Sequence, residues 1–103
     1  MKQYVGVLRP TRENLSDTLS VSEEKVMAEH VDHLMKAKEA GVLQLAGPCE
    51  DEAFGLVLFT AESDEAAYGF MKNDPAVLGG LMTQEVHPFR IFVNAFPGKQ
   101  GNI

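Results

Sequence analysis

The chain has 103 residues, of which 45% are hydrophobic and 23% are charged, and its formal net charge is −6. This composition is typical of one soluble globular domain, which we assign to residues 1–96, with residues 97–103 as a flexible tail. Because no run of Lys or Arg offsets the acidic balance, we expect no binding to nucleic acid, which is itself a polyanion.

Cys49 is the single cysteine, so the chain forms no intramolecular disulfide, which favours a reducing, cytoplasmic location. Residues 4–8 are apolar but end at Arg9-Pro10, and this run is too short for the core of a secretion signal. No segment approaches the roughly 18 apolar residues of a membrane helix, so we expect no membrane partner.

The first predicted elements are a strand and a long connection. Residues 4–8 (YVGVL) predict a strand. Residues 11–22 are polar and show no sustained period, which predicts an irregular connection of a length that is often functional. Ser20-x-x-Glu23 fits a capping box at the start of the next helix, and Ser22 is an equally suitable N-cap.

The most regular pattern lies in residues 23–40, which predict an amphipathic helix. At about 100° per residue, Met27, Val31 and Leu34 form an apolar stripe that we expect to face the core. The flanks of this stripe are Val26, Ala37 and Met35. Gly41 is expected to end the helix, because glycine accepts a positive φ without a Cβ clash.

Three further strands are predicted. Residues 42–45 predict the second strand, which we expect Gly47-Pro48 to break. The apolar run at residues 54–61 predicts the third strand, and residues 86–93 predict the fourth.

Two more helical segments lie between the third and fourth strands. Ser63 is the predicted N-cap of a helix that runs to about residue 72. Asp74-Pro75 predicts a short helical turn with Asp74 at the N-cap and Pro75 at the first helical position, where its missing N–H costs nothing. Gly79-Gly80 is expected to end this turn.

The resulting order, β-α-β-β-α-β, predicts an α+β ferredoxin-like fold, an antiparallel sheet of four strands with both main helices on one face. The third strand is apolar on both faces, which an antiparallel sheet with one solvated face does not require. Its two sets are Phe54, Leu56 and Leu58 on one face and Val57, Phe59 and Ala61 on the other. Because large exposed apolar patches are rare on monomers, we expect a homodimer.

Two histidines lie on the first helix. His30 is about 50° from the centre of the apolar stripe, and there it is either a core histidine bonded to a backbone carbonyl or a site residue. His33 lies at the edge of the stripe and is expected to be half exposed. His30-x-x-His33 has the spacing of a metal-binding pair, but no third ligand has matching spacing, so we expect no metal.

Other candidate residues carry alternative interpretations. Asp74 is explained by helix capping alone, although its carboxylate has enough lone pairs to accept from an imidazole as well. Arg9 and Arg12 either hold an anionic substrate group or are solvated surface charges. Cys49 has no accompanying motif of a thiol nucleophile. No phosphate-binding loop or dinucleotide fingerprint is present, so no cofactor is expected.

Several motifs, taken together, resemble the YciI-like (YCII-related) family. The resemblance covers about residues 29–89, and its motifs are His30 with Leu34, Gly41-x-Leu43-x-x-Ala46-Gly47-Pro48, Ala61-x-Ser63-x-Glu65-Ala66, Phe70-x-x-x-Asp74-Pro75 and Val86-x-Pro88-Phe89. It implies a dimeric α+β barrel, similar in fold to muconolactone isomerases. It also implies a site centred on His30 and Asp74, and in some members an action on hydroxylated or chlorinated products of aromatic-ring breakdown.

Three hypotheses follow for the function. The first is a cofactor-independent enzyme of lyase, isomerase or dehalogenase type, in which His30 and Asp74 carry out acid–base chemistry on a small, aromatic-derived substrate. The second is a module that binds or senses a small ligand in the same pocket without turnover. The third is a structural domain whose dimer face is its purpose.

Overall fold

The computed structural model describes residues 1–95; the predicted tail at residues 97–103 lies outside the described residues. The elements, in chain order, are β1 (Lys2–Pro10), a single 3-10 turn (Leu15–Asp17), α1 (Val21–Glu39), β2 (Leu43–Pro48), β3 (Gly55–Ala61), α2 (Asp64–Lys72), α3 (Pro75–Leu78) and β4 (Met82–Pro88).

The strands form one sheet in the order β2-β3-β1-β4, and every neighbouring pair is antiparallel. This is the ferredoxin-like arrangement that the order of elements predicts, so the predicted fold class is confirmed. The two central strands, β1 and β3, are paired along most of their length, from Lys2 opposite Ala61 to Leu8 opposite Gly55.

The core lies between one face of the sheet and the helices. Tyr4, Leu8, Val57 and Phe59 on this face are each at most 4% exposed, and they pack with side chains from all three helices. Gly6 belongs to the same face, and a Cβ there would lie 2.5 Å from the side chain of Met71. A larger residue at this position would force the Met71 side chain to move.

The opposite face of the sheet carries a half-buried apolar stripe. Val5 and Val7 of β1 lie beside Leu56 and Leu58 of β3, and Leu45 of β2 is the cross-strand partner of Leu58. We call these five residues the apolar sheet face. The helices pack on the other side, which agrees with the two-sided apolar pattern of β3 in the sequence.

The connection before α1 is more ordered than its sequence suggests. Leu15 in the 3-10 turn is only 4% exposed. Ser20 is the N-cap, its hydroxyl accepts from the Glu23 N–H, and the Glu23 carboxylate accepts from the Ser20 N–H, so the capping box is formed. Helix α1 therefore begins at Val21, two residues before the predicted start.

Arg12 ties this connection to the helix. Its guanidinium donates two hydrogen bonds to the Glu23 carboxylate, at 3.0 and 2.8 Å, and another to the Thr18 carbonyl. Arg12, together with the N–H of Ser20, lowers the pKa of Glu23 to about 2. The carboxylate thus serves both the cap of α1 and the connection that precedes it.

The predicted bounds of the two edge strands were wrong. β2 continues through Gly47-Pro48, because an edge strand tolerates a proline that cannot donate to a neighbour. β4 begins at Met82, opposite Pro10, and ends at Pro88, opposite Tyr4, which is close to the start of β1. Residues 91–93 are apolar, but within residues 1–95 no strand pairs with them, so the predicted extension to residue 93 does not form.

Candidate functional site

His30 and Asp74, which are 44 positions apart in the sequence, meet between α1 and α3. The His30 Nδ1 lies 2.8 Å from each of the two Asp74 carboxylate oxygens. Both residues are buried, with exposed fractions of 9% for His30 and 2% for Asp74. A buried imidazole and a buried carboxylate at this distance satisfy each other's hydrogen-bonding needs.

The start of α3 holds Asp74 in place. Asp74 is the N-cap of this helix, Pro75 occupies the first helical position, and the Ala76 N–H donates to the Asp74 Oδ1 at 2.8 Å. The carboxylate therefore caps α3 and binds His30 at the same time. Both roles that the sequence left open for Asp74 are compatible in this geometry.

The contact with Asp74 determines which nitrogen of the His30 ring carries the hydrogen. An ionised carboxylate only accepts hydrogen bonds, so Nδ1 carries the hydrogen and donates it to Asp74. Within residues 1–95 no hydrogen bond engages Nε2, and the His30 ring lines a cavity. In the neutral ring, Nε2 is thus a hydrogen-bond acceptor available to a molecule in that cavity.

The cavity has a volume of about 560 Å³ and lies between α1, the sheet and two connections. This volume is within the range that small-molecule sites occupy in proteins. Its walls are mainly apolar and include Leu8, Leu15, Leu19, Met27, Val31, Leu34, Phe54, Val57 and Met82. Such a cavity suits a ring-sized apolar ligand.

The cavity changes the interpretation of α1. Met27, Val31 and Leu34, the stripe predicted to face the core, line the cavity, and of these three residues Leu34 also packs against the core of the sheet. Val31 is consequently 55% exposed, and Met35 on the flank is 44% exposed. The buried positions of α1 are His30 and Ala37.

Several polar residues of the cavity wall carried no motif in the sequence. Ser16 comes from the connection before α1, and Cys49, Glu50 and Glu52 come from the hairpin between β2 and β3. The Ser16 hydroxyl donates to the Glu52 carboxylate at 2.8 Å, which joins the two segments. The sequence signal for these residues is weak, because it consists only of their positions in two polar connections.

Arg9 and Arg12 do not line the cavity that contains His30. Arg9 forms an ion pair with Glu85 on the sheet face opposite the helices, where His87 and then Arg9 lower the pKa of Glu85. Arg12 is bound to Glu23 and Thr18. Because these partners occupy both guanidinium groups away from the cavity, we leave both arginines out of the proposed site.

His33 does not take part in the site around His30, because its ring has other partners. Its Nε2 donates to the Phe70 carbonyl at 3.1 Å, and its ring stacks on the Phe70 ring with 4.7 Å between centroids. Residues 1–95 contain no group of three His, Cys, Asp or Glu side chains placed to hold a metal ion. In the same residues, no helix combines the length and apolar character needed to cross a membrane.

The solved structures that are similar to the chain include the following two. One is 5-chloro-2-hydroxyhydroquinone dehydrochlorinase (TftG) from Burkholderia phenoliruptrix AC1100 in complex with 2,5-dihydroxybenzoquinone, with a TM-score of 0.63, 21% identity, and coverage of 84% of this chain and 93% of that chain. The other is muconolactone isomerase, with a TM-score of 0.67, 13% identity, and coverage of 98% and 97%. At these identities the likeness establishes the fold alone.

The family of the chain is identified from its sequence. No curated protein matches the chain in sequence. The family model of the YCII-related domain matches residues 4–90, which include both His30 and Asp74. The chain therefore belongs to the YCII-related family.

Proposed function

We propose that this protein is a cofactor-independent enzyme that moves protons on a small, ring-shaped substrate, with His30 as the general acid and base. The observation that carries this proposal is the placement of His30. One ring nitrogen is held by a buried carboxylate at 2.8 Å, and the ring lines a cavity of about 560 Å³. A positioned imidazole in an apolar cavity is the arrangement that general acid–base catalysis requires.

In the proposed reaction, the His30 Nε2 takes a proton from a substrate hydroxyl or from a carbon next to a carbonyl. The electron pair that remains on the substrate either expels a leaving group or accepts a proton at a different carbon. The first route is a lyase or dehalogenase reaction, and the second is an isomerisation. In the neutral ring, Asp74 holds the hydrogen on Nδ1 and so leaves Nε2 free to accept, and after the step it stabilises the imidazolium.

The names of the two similar structures support this range of reactions. One is a dehydrochlorinase in complex with a dihydroxybenzoquinone, and the other is an isomerase of a lactone. Both names describe chemistry on small organic molecules. The apolar walls of the cavity described above suit substrates of that size.

The proposal is tested by a substrate screen. The purified protein is incubated with chlorinated and unchlorinated hydroquinones, catechols and enol lactones, and bound molecules are identified by native mass spectrometry. Turnover is followed by chloride release and by absorbance. We expect at least one compound to bind and to be converted by the wild type and not by a His30 variant. Tight binding without conversion across the set contradicts the enzyme and supports the binding module.

We also propose that the protein is a homodimer formed through the apolar sheet face. Val5, Val7, Leu45, Leu56 and Leu58 lie on the side of the sheet away from the helices. A second copy of the same face would cover these side chains, since an isologous contact places a patch against itself. Additional contact surface is offered by the exposed apolar side chains of Phe89, Ile91, Phe92 and Val93.

Sedimentation velocity tests the dimer. We expect about twice 11.3 kDa at micromolar concentration for the wild type. Leu58→Lys places a charge in the centre of the apolar sheet face, and we expect it to give a monomer. Leu78→Lys is the matched control, because Leu78 is 68% exposed on α3. A wild type that sediments as a monomer contradicts the proposal.

A further inference from the structure

We infer that the cavity selects uncharged phenols and enols and discriminates against the same rings when they carry a carboxylate. This inference rests on the proposed function, because it concerns the ligand of the same site. It adds a substrate class and assigns the discrimination to Glu50 and Glu52. The selectivity follows from the charges around the cavity.

The charged residues that line the cavity are acidic. Glu50 and Glu52 are in its wall, and no Lys or Arg of the described residues lines it. Arg9 and Arg12, which flank the wall residue Pro10, are paired with Glu85 and Glu23. A carboxylate on the ligand would therefore find no Lys or Arg partner in the cavity wall.

The two glutamates lie at the open end of the cavity. Both are exposed to solvent and also line the cavity, from which we infer that they lie at its opening. Glu52 is fixed there by the hydrogen bond from Ser16 at 2.8 Å. An anion that enters the cavity therefore passes beside two negative charges.

The inner end of the cavity does not offset this charge. With His30 neutral, the buried Asp74 carboxylate at 2.8 Å leaves a net negative charge behind the ring. With His30 protonated, Nε2–H can donate to an anion, and the Asp74 carboxylate on the other side of the ring offsets its positive charge. A ligand carboxylate thus finds a donor at the inner wall only in the protonated state, in which the ring cannot accept from a phenol.

Apolar walls add a desolvation penalty for an ionised group and none for a ring. A buried carboxylate without a partner is strongly disfavoured. A phenol or enol needs only one polar contact, because its hydroxyl can donate to the His30 Nε2. This contact also places the acidic proton at the atom that would remove it.

The test compares hydroquinone with 2,5-dihydroxybenzoate, the same ring with one added carboxylate. Dissociation constants are measured by NMR shift titration of the wild type at low salt. We expect hydroquinone to bind at least about tenfold more tightly. In Glu50→Gln/Glu52→Gln, we expect the preference to fall by about fivefold, through tighter binding of the carboxylate, because two repulsions are removed.

Glu24→Gln/Glu39→Gln is the matched control. Glu24 and Glu39 are exposed on α1 and do not line the cavity, so this variant also removes two negative charges but leaves the opening unaltered. We expect the preference in this variant to equal that of the wild type. Added salt at about 1 M should reduce the difference between the wild type and the double variant, since it screens exposed charges.

The outcomes separate this inference from the proposed function. Equal binding of the two rings by the wild type, or an unchanged preference in the double variant, overturns the inference even if an enzymatic reaction is found. Failure of hydroquinone to bind also overturns it. Selective binding of hydroquinone without conversion of any compound in the screen supports the inference and contradicts the enzyme.

Discussion

Replacement of His30 by asparagine is expected to lower kcat by about 10²- to 10⁴-fold while the protein stays folded. The Asn amide can donate to Asp74 in place of Nδ1–H, so the buried carboxylate keeps a partner. Nothing replaces Nε2, the nitrogen that faces the cavity. The loss is measured as kcat on the best compound of the screen, with unfolding in urea as the check on folding.

The alanine variant is a less clean test of the same residue. His30→Ala leaves the Asp74 carboxylate, which is 2% exposed, with the Ala76 N–H as its remaining described partner. Removing one member of a buried pair typically costs about 3–5 kcal/mol of stability. His33→Asn is the control for a histidine on the same helix, and we expect it to retain kcat. Full activity in His30→Asn contradicts the proposed role.

Asp74→Asn is expected to lower kcat by a similar factor and to leave α3 intact. Its side-chain oxygen can still accept from the Ala76 N–H, so the cap remains. Its NH₂ group then faces His30, so Nδ1 must accept and the hydrogen moves to Nε2. A protonated Nε2 cannot remove a proton from the substrate, as in other histidine–carboxylate pairs.

Asp74→Ala separates capping from catalysis. This change removes the cap of α3, which costs about 1 kcal/mol, and leaves the buried Nδ1 of His30 without an acceptor, which costs about 1–3 kcal/mol more. We expect the free energy of unfolding, measured in urea, to fall by the sum of these terms. If Asp74→Asn retains kcat while Asp74→Ala loses stability, the carboxylate serves only as a cap.

The parts of the fold that follow from local rules were predictable from the sequence. The capping box at Ser20, the end of α1 at Gly41 and the start of α3 at Asp74-Pro75 each depend on a few neighbouring residues, and each is present. The order of the elements then restricts the sheet to a small number of topologies. The meeting of His30 with Asp74 was suggested only by the family resemblance.

The remaining features depend on contacts between distant segments. The end of β4 at Pro88 lies opposite the start of β1, which the apolar residues at 91–93 do not reveal. The apolar stripe of α1 predicts that Val31 is buried, but periodicity does not distinguish a packed core from the wall of a cavity. An arginine in a polar connection is a candidate for ligand binding, and only the fold shows that Arg12 is bound to Glu23.

The cavity is built from two kinds of structure, and this division bears on how such a protein can evolve. Its chemical centre lies on α1 and at the start of α3, where Asp74 is also needed for folding. Its opening is formed by polar connections that meet through Ser16 and Glu52. Substitutions at exposed positions of these connections can change the range of accepted molecules while the His30–Asp74 pair stays in place. A new specificity can therefore arise on the same proton-transfer pair.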